Sequence, residues 1–225
     1  MPILRDIPLQ LGVDEVLRAE GADPVSLRAR GTSFVELAEQ ALSEGLPLVR
    51  TAVLYRLFPV ERCLHNRVIL SGNGVLSGPL VAQHLVRASQ VAVVVCTIGP
   101  EPEKQAARVM ASDLPYGLAL DAVGSAAVEA LAAATCHLLE AQAERDGFQA
   151  TPLLSPGMVG WPVDEGQREI ARLVDAGEIG VTFLPTGMMV PLKSLSFVIG
   201  FGSQVMAGGR PCDYCSVRER CRYRE

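Results

Sequence analysis

The chain has 225 residues, 49% of them hydrophobic and 5% aromatic, with a formal net charge of −5 at pH 7. That length suits one large domain or two small ones, and the apolar share supports a sizeable core. A mildly acidic balance without long runs of one sign excludes nucleic acid as the main partner. The opening MPILRDIPLQ lacks a charged segment leading into an apolar one, so no secretory signal is expected. The most apolar stretch, VEALAAATCHLL, is short and alanine-rich within an amphipathic pattern, so no membrane span is expected either. These features point to a cytoplasmic protein.

In chain order, VDEVLRAEG and SFVELAEQALSEG carry apolar residues at helical spacing. Ser33 and Glu36 predict a capping box for the second, and Gly45 a stop. RTAVLYRLFPV and the short RVIL read as strands, and GPLVAQHLVRAS as a helix. QVAVVVCTIG, with Val91, Val93, Val94 and Val95, has the β-branched run of a strand covered on both faces. A helix is predicted over 101–112 and a much longer one over 114–146. The long one carries LDAVGSAAVEALAAAT, whose small side chains let other backbones approach closely, so it should be central. A further helix follows Pro162, with Asp164 and Gln167 as its start signal. The segment 179–204 has strand-like runs around a Pro/Gly bend and predicts a hairpin or two neighbouring strands. Helices and strands alternate without a βαβ rhythm, which favours α+β over a doubly wound sheet.

Two segments carry chemistry. LLSPGMVGWP holds two prolines, two glycines and the single tryptophan, so it is neither ordinary helix nor strand. At the C-terminus, Cys212, Cys215 and Cys221 form a C-x2-C-x5-C pattern that can supply three corners of a tetrahedral metal site. Three thiolates with an open corner suit a [4Fe–4S] cluster. Zinc, the alternative, would want a fourth protein ligand such as Cys63, His65, His84 or His137. Arg210, Arg218, Arg220, Arg222 and Arg224 would offset the thiolate charge. Cys63, Cys96 and Cys136 sit in apolar surroundings and read as ordinary buried thiols. The chain divides into a main domain over 1–209 and a Cys-rich basic tail over 210–225.

Taken in order, CTIGPEPEKQ, LALDAVGSAAVEAL, LSPGMVGWPVDEGQREI, IGVTFLPTGMMVPLKSLSFVIGFG and CDYCSVRERCRYR resemble the reactivation domain of cobalamin-dependent methionine synthase, in its stand-alone form. The resemblance runs over nearly the whole chain. It implies an α+β fold with a twisted antiparallel sheet and flanking helices, an S-adenosylmethionine site, and docking over a partner's cobalamin. The implied work is reductive remethylation of an inactivated corrinoid methyltransferase, with an electron donor protein as second partner. A cluster on the Cys tail would fit that need for an electron.

The resemblance also suggests site residues. In the family the Pro-Gly segment has an arginine two residues before the small residue and a tyrosine after the glycine. Here Ser155, Pro156 and Gly157 match, while Leu153 and Met158 stand at the arginine and tyrosine positions. A ligand carboxylate finds no partner in leucine. Backbone donors near Gly157 could still serve, and Met158 could touch adenine or the sulfonium. Asp121 and Glu129 match acidic positions on the long helix. Eight residues separate them, about 12 Å along the axis, so they cannot chelate one ion together, but either could receive an ammonium or ribose hydroxyls. Met188, Met189 and Val190 could pack on an apolar ligand or partner surface, and Lys193 could meet the corrinoid face. No chain nucleophile or acid–base pair is expected, so catalysis would be by positioning. The alternative is a corrinoid-protein binding module or iron–sulfur electron carrier that has lost S-adenosylmethionine binding.

Overall fold

The structure, a computed structural model, describes residues 2–21, 23–30 and 32–205. Its trunk is β2 (Ala52–Leu64), a strand long enough to serve two neighbourhoods. The first half pairs with β1 (Ile3–Arg5) on one side and β5 (Gln90–Thr97) on the other. The second half pairs with β3 (Arg67–Leu70), which turns back into β4 (Gly74–Ser77). The register shifts between Val60 and Arg62, and such an irregularity bends a strand and increases its twist. β9 (Ser194–Gly202) pairs with β5 along its length, and β6 (Gln149–Ala150) closes the edge. Every pairing is antiparallel, giving one curled seven-stranded sheet.

The β-branched run predicted to be covered on both faces is so covered. Along β5, Val91, Val93 and Val95 enter one apolar layer, while Ala92, Val94 and Cys96 enter the other. That alternation follows from the two-residue period of a strand. The first layer is closed by α4 (Pro79–Leu85), by α7 (Val163–Leu173) and by the loop carrying Leu154, Met158 and Trp161. The second is closed by α6 (Leu114–Arg145), through Ala127, Val128, Leu131, Ala132, Leu139 and Ala143. A third cluster joins the first half of α6 to α1 (Val13–Ala19), α3 (Ser33–Gly45) and α5 (Glu101–Met110).

The small residues of α6 make this double duty possible. An added Cβ at Gly117 would stand 2.7 Å from the Met110 backbone nitrogen, so only glycine lets α5 and α6 meet there. Val123 packs against Gly45 of α3 in the same way. By length and apolarity this 32-residue helix could cross a membrane; burial between the sheet and three other helices marks it as a core helix instead.

Local signals fared less evenly. α3 begins at Ser33 with Thr32 before it and no side-chain cap, so the predicted capping box does not form. Instead the Glu15 carboxylate accepts the Gly12 N–H at 2.9 Å ahead of α1. α7 begins at Val163, one residue before Asp164, whose carboxylate pairs with Arg168 rather than capping. α4 stops at Leu85, short of the predicted span. The sequence reading missed α2 (Pro24–Arg30), started by Asp23 accepting from the Val25 and Ser26 N–H groups, and it missed β4. Segment 179–204 forms both a small separate hairpin, β7 (Thr182–Phe183) with β8 (Met189–Val190), and the central strand β9.

Candidate functional site

The Pro-Gly segment follows the sheet edge. Leu154 bridges to Val198 of β9, continuing the pairing begun at β6. Alternation then turns Leu154 into the α7 layer, while Leu153 packs at the seam of both layers. The chain next makes a tight corner. Gly157 has φ 101°, a conformation that glycine alone adopts without strain. Its N–H donates to Trp161 O at 2.8 Å. The Ser155 N–H donates to the Met158 Sδ at 3.5 Å, and the Met158 N–H returns to Ser155 O at 3.2 Å. Pro156 leans on Gly166 of α7, where an added Cβ would lie 2.9 Å from Pro156 Cβ.

Behind the corner stands a fully buried Trp161. Its indole N–H donates to Glu169 Oε2 at 3.0 Å, and both Glu169 oxygens accept the Ser77 N–H at 3.0 Å. One carboxylate therefore ties together the corner, the end of β4 and α7. Met158 and Met189 are buried in the same layer, so their side chains face the protein's own core. Met188 and Val190, on either side of Met189, are exposed.

The polar side chains of the predicted site stand on α6. Asp121, Ser125 and Glu129 follow one another at four-residue intervals, which sets them in a row along one side of the helix. Lys193, just before β9, lies across this row. Its Nζ donates to Asp121 Oδ2 at 2.9 Å and to Ser125 Oγ at 2.8 Å. The lysine stem passes over Gly124, where a Cβ would be 3.2 Å from Lys193 Cε, so this glycine makes room for it. The Lys193 side chain is 14% exposed and that of Asp121 41%. Glu129 is reached by solvent, yet burial pushes its pKa above the ordinary carboxylate value. Both hold together for a carboxyl standing in a recess with protein around it. It lies close enough to Cys96 of β5 to add to the burial that lifts that thiol to about 12.

Sequence reasoning thus named three of the four groups, Asp121, Glu129 and Lys193, and missed Ser125. The Asp-x3-Ser-x3-Glu spacing was the available signal. It also missed Glu169 as the partner of Trp161, for which only the general need of a buried indole N–H for an acceptor gave a hint.

The most prominent clefts among the described residues lie elsewhere, and none of them is lined by Asp121 or by Ser155–Met158. One of about 460 Å³ lies among Val13, Glu39, Leu42 and Pro47, one of about 440 Å³ between the β3–β4 turn and α7, and a small one of about 30 Å³ beside Phe148. Cys212, Cys215 and Cys221 lie outside the described residues. Among the described residues no group of three or more His, Cys, Asp or Glu side chains could hold a metal ion. Of the four suggested fourth ligands, His84 is buried with Nδ1 2.9 Å from Leu80 O, and the Cys63 thiol donates to Ala82 O at 3.3 Å. His65 and His137 are exposed. Burial lifts the Cys136 thiol to about 12, like that of Cys96.

Fold and site together define an α+β domain whose curled antiparallel sheet is flanked by helices, with a charged row on the helix that covers one face. No family model and no curated protein matches the sequence. Among solved structures, the crystal structure of the MetH reactivation domain bound to AdoHcy is similar, with a TM-score of 0.59. The match covers 89% of this chain and 72% of that one, at 16% sequence identity. The chain has the reactivation-domain fold, as the motif order implied.

Proposed function

We propose that this protein supports reductive remethylation of a corrinoid-dependent methyltransferase, with S-adenosylmethionine as methyl donor. The carrying observation is the Asp121–Ser125–Lys193 cluster, with Glu129 two turns further along α6, on a reactivation-type fold. AdoHcy, present in the similar solved structure, is what S-adenosylmethionine becomes on giving up its methyl group. In the proposed reaction the partner's cobalamin is the substrate. It gains one electron from a donor protein, then takes the methyl from the sulfonium, leaving a neutral thioether.

This chain's residues contribute binding and orientation. Asp121 and Glu129 receive the ligand's ammonium or ribose hydroxyls, while the Ser155–Gly157 corner packs toward α7 and the structure does not bring it to them. No side chain described here needs to move a proton for methyl transfer, so the rate gain comes from alignment. The Cys212, Cys215 and Cys221 thiolates would hold a metal, on the strength of their spacing alone. A brown colour with a broad visible band after anaerobic purification supports the cluster, while bound zinc in a colourless protein gives the tail a structural role.

The test is to mix the protein with a corrinoid methyltransferase, a reductant and S-adenosylmethionine and follow the cobalamin spectrum. Conversion of the cob(II)alamin band to that of methylcobalamin is expected. A second reading, a corrinoid-protein binding module without S-adenosylmethionine, draws on Leu153 and on the burial of Met158. Calorimetry separates the two: complex formation with the corrinoid protein, but no heat from S-adenosylmethionine, favours the second.

A further inference from the structure

We propose that Lys193 and Asp121 together anchor the α-amino-acid end of the ligand, so that the site selects nucleosides bearing a zwitterion. This rests on the S-adenosylmethionine reading above and assigns one end of that ligand to two named side chains.

An ammonium has three N–H donors. Lys193 spends one on Asp121 and one on Ser125. The third has no acceptor among the described residues. Asp121 accepts through Oδ2, and its Oδ1 has no donor among the described residues. The pair therefore presents one open donor beside one open acceptor. An α-amino acid is the complement: its carboxylate takes the Lys193 N–H and its ammonium takes Asp121 Oδ1. The four charges then alternate in sign around a closed square, each flanked by two opposite ones, and the existing ion pair need not break.

Three features make this an anchor rather than an ordinary surface ion pair. First, the lysine is largely buried, so its charge is poorly hydrated and less screened than on an open surface. Second, its position is held from three sides. Gly124 admits the stem, Ser125 Oγ accepts from the ammonium, and that hydroxyl itself donates to Asp121 O at 3.3 Å. The Lys193 carbonyl also accepts the Ile98 N–H at 3.3 Å, tying the residue to the end of β5. A cation held this way loses little freedom when a ligand arrives. Third, Leu153 stands where the family resemblance puts an arginine, and it offers no charge. Among the predicted site residues within the described region, Lys193 alone is positive, so a ligand carboxylate has one cation to find.

The experiment compares two probes by calorimetry. S-adenosylmethionine carries the amino acid on a sulfonium; S-methyl-5′-thioadenosine keeps the nucleoside and its methylthio group but lacks the amino acid and the sulfonium charge. Lys193→Met should weaken S-adenosylmethionine about ten- to a hundredfold, the loss of one charge-assisted hydrogen bond. It should change S-methyl-5′-thioadenosine less than about twofold. Gly124→Ala, whose methyl pushes the ammonium aside without removing it, should show the same selective loss. It serves should Lys193→Met fail a thermal-melt check of folding. Undiminished S-adenosylmethionine affinity in a folded variant, or equal weakening of both probes, overturns the anchor and leaves the proposed function standing. A wild-type protein that binds neither probe overturns the S-adenosylmethionine reading and the anchor with it.

Discussion

The two faces of the sheet each carry a glutamate crowded by protein, one buried and one reached by solvent, and the two are handled differently. On the α7 face, Glu169 is buried with its oxygens occupied by the Ser77 N–H and the Trp161 indole N–H. On the α6 face, Glu129 is exposed, with no hydrogen-bond donor among the described residues and a pKa raised by the protein around it. A carboxylate whose donors come from its own fold is spent on structure. One that no protein donor engages, and that solvent still reaches, keeps its hydrogen-bonding capacity open. The same contrast holds between Trp161, sealed by its neighbours, and Lys193, which keeps a donor in reserve.

Trp161→Ala should break the sealed face most severely, by about 3–5 kcal/mol, because a large fully buried side chain leaves a cavity the strands cannot collapse into. Urea unfolding measures it. Ligand affinity of the surviving folded fraction should move far less, since the charged row lies across the sheet. Next comes Glu169→Gln. The amide turns a donor toward one of two buried N–H groups, leaving one unsatisfied at a cost of about 1–3 kcal/mol. Trp161 is the single tryptophan, so its emission maximum should shift in the variant and report the loss directly.

A matched glycine pair sharpens the comparison. At Gly166 an added methyl meets Trp161 ring atoms at 2.8 Å and Pro156 Cβ at 2.9 Å. Overpacking there should outweigh the helix-propensity gain of about 1 kcal/mol, for a net loss of about 1–2 kcal/mol. At Gly124 the methyl meets only the Lys193 stem, 3.2 Å from Cε and 3.3 Å from Cγ, so Gly124→Ala should leave the melting temperature unchanged or slightly raised while S-adenosylmethionine affinity falls. Equal destabilisation by both substitutions would erase the distinction between the faces.

The smallest effect is electrostatic. The pKa of Glu129 is raised in the folded protein, so folding favours its protonated form. Its penalty is absent below the ordinary value of 4.5 and grows as pH rises through the raised folded value. Glu129→Gln should therefore stabilise slightly at neutral pH and lose that advantage in acid. Solvent still reaches the carboxyl, which keeps the effect small. Melting curves at pH 4 and pH 7 check the sign.

Much of this architecture was readable from residue order. The valine-rich run that became β5 and the alanine-rich stretch that became α6 carry periodicities that tertiary context rarely overrides. Order of motifs also pointed to the fold now seen. Helix starts were less legible. Ser33-x2-Glu36 and Asp164-x2-Gln167 both look like caps, yet a cap depends on where the preceding residue leaves extended geometry. A start one residue before the place Ser33 would cap, and two before the place Asp164 would, consigned both signals to the first turn. For the site, Asp121 and Lys193 could be named but not joined, since 72 residues separate them.

The sequence by itself determined which segments could be strand or helix, and that α6 must be hugged closely along its length, because side-chain size and apolar spacing act locally. Only the tertiary structure decided which face each segment served. A strand turns successive residues to opposite sides, so the pairing of Leu154 with Val198 sent Leu154 into the sealed layer, and the tight corner that follows carried Met158 and Trp161 after it. The separate return of the chain into β9 carried Lys193 across to Asp121.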